Sequence, residues 1–180
     1  MWRALLFVSL AGVGCTGGGL AIGTPADTPS GIYRVTVKTS ADDCDPPYAE
    51  GEVGDQLVET KRGAGMSVPL PSRGSGTALS WYKIDVRASD GYANQGEASP
   101  VCLIGTSLRA QSRYDLQLLG ADARTIEFSD IEDWTVPDGC ADFAPKHSCH
   151  LERTLTYTLV HTCPEPIRIS VSPHGEVECE

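Results

Sequence analysis

Thr154-Leu155-Thr156-Tyr157-Thr158-Leu159 is the stretch that decides the fold, because apolar and polar side chains alternate at every step. Strict alternation is typical of a β-strand with one buried face and one face in water. A sheet with one wet face is antiparallel, since parallel sheets are covered on both faces. The segment therefore predicts an antiparallel strand that places Leu155, Tyr157 and Leu159 in the core.

The same period-two pattern continues on both sides of this segment. It is clear in residues 32–38, 81–87 and 114–118, and it returns at residues 126–128 and 167–171. Residues 66–70 are a weaker candidate, interpreted as an edge strand because Pro69 lacks a backbone donor. The pattern predicts an all-β fold, either an antiparallel up-and-down barrel or a β-sandwich of about eight to ten strands. The apolar faces predict a core of Tyr33, Val35, Val37, Tyr82, Ile84, Val86, Leu116, Ile126, Leu155, Tyr157, Leu159 and Ile169.

Cysteine usage predicts that this domain is stapled by disulfides. Of the seven cysteines, Cys15 lies at the end of an export signal, which leaves an even set. An even set behind a secretory signal indicates three disulfides in an oxidising compartment, although the sequence alone does not choose among the pairings. From loop closure and strand order we expect the pairs Cys140–Cys149, Cys163–Cys179 and Cys44–Cys102.

Residues 1–14 have the pattern of a signal peptide: Arg3 precedes an apolar run that is too short to span a bilayer. Residues 10–15, Leu-Ala-Gly-Val-Gly-Cys, resemble the lipobox of bacterial lipoproteins, except that Gly12 stands where that family has a large aliphatic residue. The resemblance covers residues 1–16 and implies that Cys15 carries diacylglycerol and becomes the new N-terminus. Cleavage further along, for example after Ala21, is the alternative and would give a secreted protein.

Residues 15–31 are rich in Gly, Thr, Pro and Ser, a composition that predicts a flexible tether before a single all-β domain at residues 32–180. Thr16 follows the cysteine in place of the aspartate that favours inner-membrane retention in enteric bacteria. The lipoprotein resemblance therefore implies an outer-membrane location. No second apolar segment follows, so we expect no transmembrane helix.

The charge of the chain argues against nucleic acid as a partner. The formal charge is −10, and removal of residues 1–14 takes away one arginine and no acid, which gives −11. A strongly acidic protein repels nucleic acid and anionic lipid headgroups alike.

A second resemblance spans most of the domain. Residues 31–36, Gly-Ile-Tyr-Arg-Val-Thr, followed by Cys44, and then Cys140 with residues 149–157, Cys-His-Leu-Glu-Arg-Thr-Leu-Thr-Tyr, are similar to small lipocalin-like barrel lipoproteins of soil deltaproteobacteria. Most members of that group have no assigned activity, so the resemblance implies a barrel and an envelope location, and no reaction.

The sequence contains residues suited to three kinds of site, in zinc, calcium and hydrolytic patterns. Cys140, His147, Cys149 and His150 have the chemistry of zinc ligands, but an oxidising compartment favours a disulfide, so no metal is expected. The acids at 42–45 and at 130–133 lack calcium-loop spacing and are interpreted as solvated turn residues. Gly74-Ser75-Gly76 lacks the spacing of a nucleophile elbow. No cofactor is expected.

The sequence leaves three functions open. The leading one is a membrane-tethered, non-catalytic envelope module that binds a small apolar ligand or a surface partner. The second is an exported hydrolase whose site is assembled from residues distant in sequence, and the third is a purely structural envelope domain. A cavity with few titratable groups favours binding, and a nucleophile beside a base favours hydrolysis.

Overall fold

A computed structural model describes residues 28–48, 50–61, 64–73, 79–102, 107–140, 145–171 and 177–179. The signal segment, Cys15 and Ser75 lie outside these ranges. The described residues form ten strands and one 3₁₀ turn, and none of their helices is long and apolar enough to cross a membrane. The elements are β1 Gly31–Asp42, β2 Gly51–Lys61, β3 Gly65–Arg73, β4 Leu79–Arg87, the turn Ala88–Asp90, β5 Ala93–Ala98, β6 Gln111–Ala121, β7 Thr125–Thr135, β8 Cys149–Thr162, β9 Ile169–Val171 and β10 Val177–Cys179.

Strands β1 to β8 form one antiparallel sheet in the order β4-β3-β2-β1-β8-β7-β6-β5. Strand β1 pairs with β2 and with β8, which joins the two four-stranded halves, and the outer strands β4 and β5 approach each other to give a nearly closed up-and-down barrel. The seam lies between β4 and β5, where Asn94 Nδ2 donates to Asp85 O at 2.7 Å. Of the two predicted architectures, the barrel is correct.

The barrel has two different ends. At the upper end, β1, β3, β5 and β7 finish and β8 begins at Cys149. The lower end carries the start of β1 and the end of β8. Cys44–Cys149 and Cys102–Cys140 cross-link loops at the upper end. Cys163–Cys179 lies at the lower end, where β8 finishes.

The lower and middle interior is packed with apolar side chains. The alternating residues of β1, β7 and β8 meet there, and the ring of Phe128 contacts the ring of Tyr157 edge to face, with centroids 5.9 Å apart. Most of the predicted core is buried, whereas Tyr82 and Leu159 are only half-buried, and the side chain of Ile169 lies outside the description. The buried members of the prediction are Tyr33, Val35, Val37, Ile84, Val86, Leu116, Ile126, Leu155 and Tyr157.

Strand β3 corrects the expectation of an edge, because it lies between β2 and β4. Its ladder with β2 stops at Ser67, so that the chain beyond it is paired on one side only. The carbonyls of Pro69 and Pro71 instead accept hydrogen bonds from Tyr157 Oη at 2.6 Å and Arg153 Nη2 at 3.0 Å. Interior side chains therefore supply the donors that a neighbouring strand would otherwise provide. Proline is tolerated at residues 69 and 71 because no β2 partner requires its missing backbone N–H.

The expected tether does not extend to Gly31. Thr28 and Ser30 are buried, with Thr28 Oγ1 donating to Asp122 O at 3.1 Å and Ser30 Oγ accepting from Thr60 N at 2.9 Å. Gly31 is the first residue of β1, so the folded unit includes residue 28 onward.

Two of the three expected disulfides are wrong. The structure pairs Cys44 with Cys149 and Cys102 with Cys140, and only Cys163 with Cys179 follows the prediction. The reason for the first pair is the β1–β8 ladder, which brings Asp42 opposite Leu151 and sets Cys44 beside Cys149. Three disulfides indicate an oxidising, extracytoplasmic compartment.

Candidate functional site

A buried charge cluster separates the apolar core from the upper end of the barrel. Arg153 on β8 points inward between Leu151 and Leu155, and its register neighbour on β7 is Asp130. Arg153 Nε donates to Asp130 Oδ2 at 2.8 Å, and Nη2 donates to Glu132 Oε1 at 2.8 Å. The side chains are almost fully buried, with exposures of 1% for Arg153, 0% for Asp130 and 6% for Glu132. One guanidinium thus faces two carboxyls inside the barrel.

Glu132 is further bound by two aromatic donors. Its Oε2 accepts from Trp134 Nε1 at 3.1 Å and from Tyr48 Oη at 3.3 Å. Tyr48 is held in place because its backbone N–H donates to Asp42 Oδ2 at 2.6 Å, and the guanidinium of Arg153 lies 5.1 Å from the centre of its ring. These contacts fix Glu132 from the strand side and from the loop after β1.

Burial raises the pKa of both carboxyls above their ordinary values. The attraction of Arg153 acts in the opposite direction, but it is shared between Asp130 and Glu132 and does not outweigh the loss of hydration. Taking a carboxylate out of water disfavours its ionised form unless it is fully paired. The cluster therefore holds more acid than its single cation neutralises.

Two buried polar atoms at the level of Arg153 lack a hydrogen-bond partner among the described residues: Asp130 Oδ1 and Thr39 Oγ1. Thr39 on β1 and Asp130 on β7 are the register partners of Arg153 on either side. Buried polar atoms are normally hydrogen-bonded, so each exception calls for an explanation. Within the described ranges, the polar groups at this level of the barrel are therefore not all hydrogen-bonded.

A cavity of about 430 Å³ opens above this cluster at the seam. This volume falls in the range of small-molecule sites, about 300–1,000 Å³. Its walls come from β4, β5, β6 and β7, and Glu132 is the buried acid among them. The lining residues are Tyr82, Lys83, Ile84, Glu97, Ala98, Ser112, Tyr114, Glu132 and Trp134.

Gly96 on β5 shapes one wall of the cavity. A Cβ atom at this position would overlap the ring of Tyr114, which lies across β5 and donates from its Oη to Asn94 Oδ1 at 3.1 Å. Glycine in a strand commonly marks a close approach of this kind. The aromatic wall therefore depends on the absence of a side chain at residue 96.

The sequence interpretation of residues 130–133 as solvated turn acids is wrong for Asp130 and Glu132. Both lie on the inward face of β7, whereas Asp133 is exposed on the outer face. Trp134 lies on the same strand and borders the cavity. The signal was present in the chain, because the period-two pattern of Ile126 and Phe128 continues through Asp130, Glu132 and Trp134.

The sequence interpretation did not identify Arg153 as a site residue, although its place in the alternating pattern of β8 was visible. It occupies an apolar-face position between Leu151 and Leu155, where an arginine indicates a buried partner of opposite charge. Its partners, Asp130 and Glu132, are distant in sequence and come into reach only through the β7–β8 register.

The four candidate zinc ligands, Cys140, His147, Cys149 and His150, do not form a zinc site with free thiolates. Cys140 and Cys149 are both disulfide-bonded, to different partners. His147 Nε2 lies 3.1 Å from Asp43 O, and His150 is held on the outer face by Asp133 Oδ1 at 2.7 Å and Glu152 Oε1 at 3.2 Å. The two hydrogen bonds raise the pKa of His150, Asp133 contributing the larger effect.

The described residues around the cavity show no hydrolytic constellation. Among the described lining residues none is a histidine or a cysteine. No hydrogen bond joins a serine hydroxyl to a histidine ring within the described ranges. The described lining supplies aromatic walls, the hydroxyl of Ser112 and the buried carboxyl of Glu132.

Comparisons with protein-family models, with curated proteins and with solved structures find no match to this chain.

Proposed function

We propose that this protein is a non-catalytic binding module of the cell envelope, tethered to the membrane by lipid on Cys15, that holds a small ligand in the upper cavity of its barrel. The cavity of about 430 Å³, walled by Tyr82, Tyr114 and Trp134, is the observation that carries the proposal. The rest of the barrel interior is packed by its own side chains, so binding would be confined to this end.

The scaffold supports a preformed site. The cavity lies between strands, and two disulfides brace the loops around the same end of the barrel. A site built on strands loses little conformational entropy when it binds. The lipocalin-like barrel and the lipobox-like residues 10–15 support an envelope lipoprotein, and the outer membrane is the proposed location.

A neutral fluorescent probe tests the cavity. N-phenyl-1-naphthylamine should bind the exported Cys15→Ser chain saturably, at one site, because no lipid then competes for the probe. Ala98→Trp should abolish this signal, since Ala98 lines the cavity. Ala123→Trp is the matched control, because Ala123 is an exposed alanine in the turn between β6 and β7 at the lower end. Saturable binding that survives Ala98→Trp, or no binding to the parent chain, would contradict the proposal.

The tether has a separate test. Cys15→Ser should move the protein from the membrane fraction to the soluble fraction of the envelope, because the anchor would be lost. Cys15→Ser protein that stays equally membrane-associated would refute the lipid anchor and leave the cavity proposal intact.

A further inference from the structure

We propose that the ligand of the upper cavity is a small amphiphilic cation, an organic ammonium group on an aromatic or aliphatic body, with the ammonium directed at Glu132. The inference rests on the proposed function and names its ligand class. It follows from the charge balance, the unsaturated polar groups and the aromatic walls.

The charge balance inside the barrel favours a cationic ligand. Inside the barrel, the buried cluster sets Arg153 against both Asp130 and Glu132. With both carboxyls ionised, the cluster has an excess negative charge in a region of low hydration. Such an excess is offset either by protonation or by a cation that enters the site. Glu132 borders both the cluster and the cavity, so a bound cation would reach it directly.

The acceptor capacity of Glu132 allows a further donor. A carboxylate offers about four acceptor positions. Three are used in the structure, by Arg153 on Oε1 and by Trp134 and Tyr48 on Oε2. Among the described residues, one position on Oε1 therefore has no donor and can accept an ammonium N–H.

The other charges near the cavity do not oppose a cation. Lys83 belongs to the lining, but its ammonium is paired with Glu59 on β2, in the same half of the barrel. Glu97 at the rim is exposed and paired with Arg113, Nε to Oε1 at 2.9 Å. Neither pair places an unpaired positive charge in the described lining.

The walls fit a cation with an apolar body. Tyr82, Tyr114 and Trp134 present aromatic surface on β4, β6 and β7 around one cavity. Aromatic rings attract cations through their electron-rich faces and also bury apolar surface. An anion or a purely apolar ligand would contact the walls but bring no positive charge to the cluster, which would then depend on protonation of a carboxyl.

The test uses three probes that share a phenylalkyl group and differ in charge: the cation phenethylammonium, the neutral 2-phenylethanol and the anion 3-phenylpropionate. Titration of ¹⁵N-labelled Cys15→Ser protein, read at the indole N–H of Trp134, should give at least about tenfold tighter binding of the cation than of the alcohol. The anion should bind most weakly. Glu132→Gln should remove the preference for the cation. Glu127→Gln, the same change on the exposed face of β7, should keep it.

The outcomes separate the two proposals. Equal affinity for the cation and the alcohol, or a preference that survives Glu132→Gln, overturns the cationic ligand and leaves the cavity proposal standing. Absence of binding by every probe overturns both.

Acidification of the unmodified site provides a second measurement that does not depend on the folding of a variant. Affinity for phenethylammonium should fall as the pH is lowered through the titration of Asp130 and Glu132, while affinity for 2-phenylethanol stays constant. The titratable and charged groups around these carboxyls are Arg153 and Tyr157 on β8, Tyr82 on β4, Asp115 on β6 and Tyr48 in the loop after β1. Cation affinity that does not change with pH would overturn the inference.

Discussion

At the scale of single residues, Arg153 decides how the upper half of the barrel is built. It donates to Asp130, to Glu132 and to the carbonyl of Pro71, so it joins β7, β8 and β3 through one guanidinium. Removing one partner of a buried ion pair is costly, because the remaining charge stays buried without compensation. The stability of this region therefore depends on Arg153 more than on the exposed ion pairs of the barrel.

Arg153→Met should lower the free energy of unfolding by about 3–5 kcal/mol, measured by urea denaturation. Arg113→Met is the control, since the Arg113–Glu97 pair is exposed and such pairs contribute about 0–1 kcal/mol. Arg153→Met combined with Asp130→Asn and Glu132→Gln should recover part of the loss, because the buried charges are then gone. Equal effects of the two single variants would show that the cluster is not a stabilising unit.

His150 is the residue for which the structure predicts a pH-dependent contribution. Its pKa is raised above the ordinary value by hydrogen bonds to Asp133 and Glu152. A histidine with a raised pKa in the folded state stabilises fully below its unfolded pKa, and this contribution is lost as the pH rises through the folded pKa. The effect on unfolding should be small, because the site is exposed and screened by solvent.

NMR titration of the His150 ring should show a pKa above about 6.5, the value of an unperturbed histidine. Asp133→Asn should lower that pKa because the stronger of the two acceptors loses its charge. Asp138→Asn, a change at another exposed acid, should leave it where it was. A His150 pKa that does not respond to Asp133→Asn would refute the assigned hydrogen bond.

At the scale of elements, the sequence predicts best those strands in which apolar and polar residues alternate with the fewest exceptions. The inward residues Leu155 and Tyr157 of β8 and Tyr33 and Val35 of β1 were identified because one face meets an apolar core. The inward acids of β7 were not, since Asp130 and Glu132 break the apolar pattern and their partner Arg153 lies on another strand. Periodicity identifies a face, but partners across strands depend on register.

Leu155→Ala tests the inward face of β8. Leu155 is fully buried in the apolar core, so truncation should cost about 2–5 kcal/mol of unfolding free energy. Val160→Ala, on the same strand at a position that is 49% exposed, should change it by about 0.5 kcal/mol or less. Comparable losses from the two variants would contradict the inward assignment.

At the scale of the whole molecule, the β1–β8 pairing determines the Cys44–Cys149 disulfide, and the approach of β4 to β5 forms the cavity. The meander order was within reach of the sequence, but pairing of the first strand with the eighth joins segments more than a hundred residues apart. This pairing sets Cys44 against Cys149, which local loop spacing did not reveal. The cavity is likewise assembled from β4, β5, β6 and β7, so no single stretch of sequence carries its signature.

The long disulfide should matter more than the short one. In the chain-entropy account, a loop of 105 residues closed by Cys44–Cys149 contributes about 4.7 kcal/mol, and the 16-residue separation of Cys163–Cys179 contributes about 3 kcal/mol. Replacing both cysteines of each pair by serine and comparing urea midpoints tests this order. A larger loss from the Cys163–Cys179 pair would contradict the account.

The central claim, that a ligand occupies the upper cavity of an otherwise packed barrel, is tested most directly by mapping amide shifts of the ¹⁵N-labelled protein during titration with phenethylammonium. We expect the largest shifts at the Trp134 indole and at residues 82–84, 97–98, 112–114 and 132, with none at the lower-end turn of residues 122–124. Shifts that concentrate at the lower end, or that spread over the outer face without a maximum at the cavity, would contradict the claim.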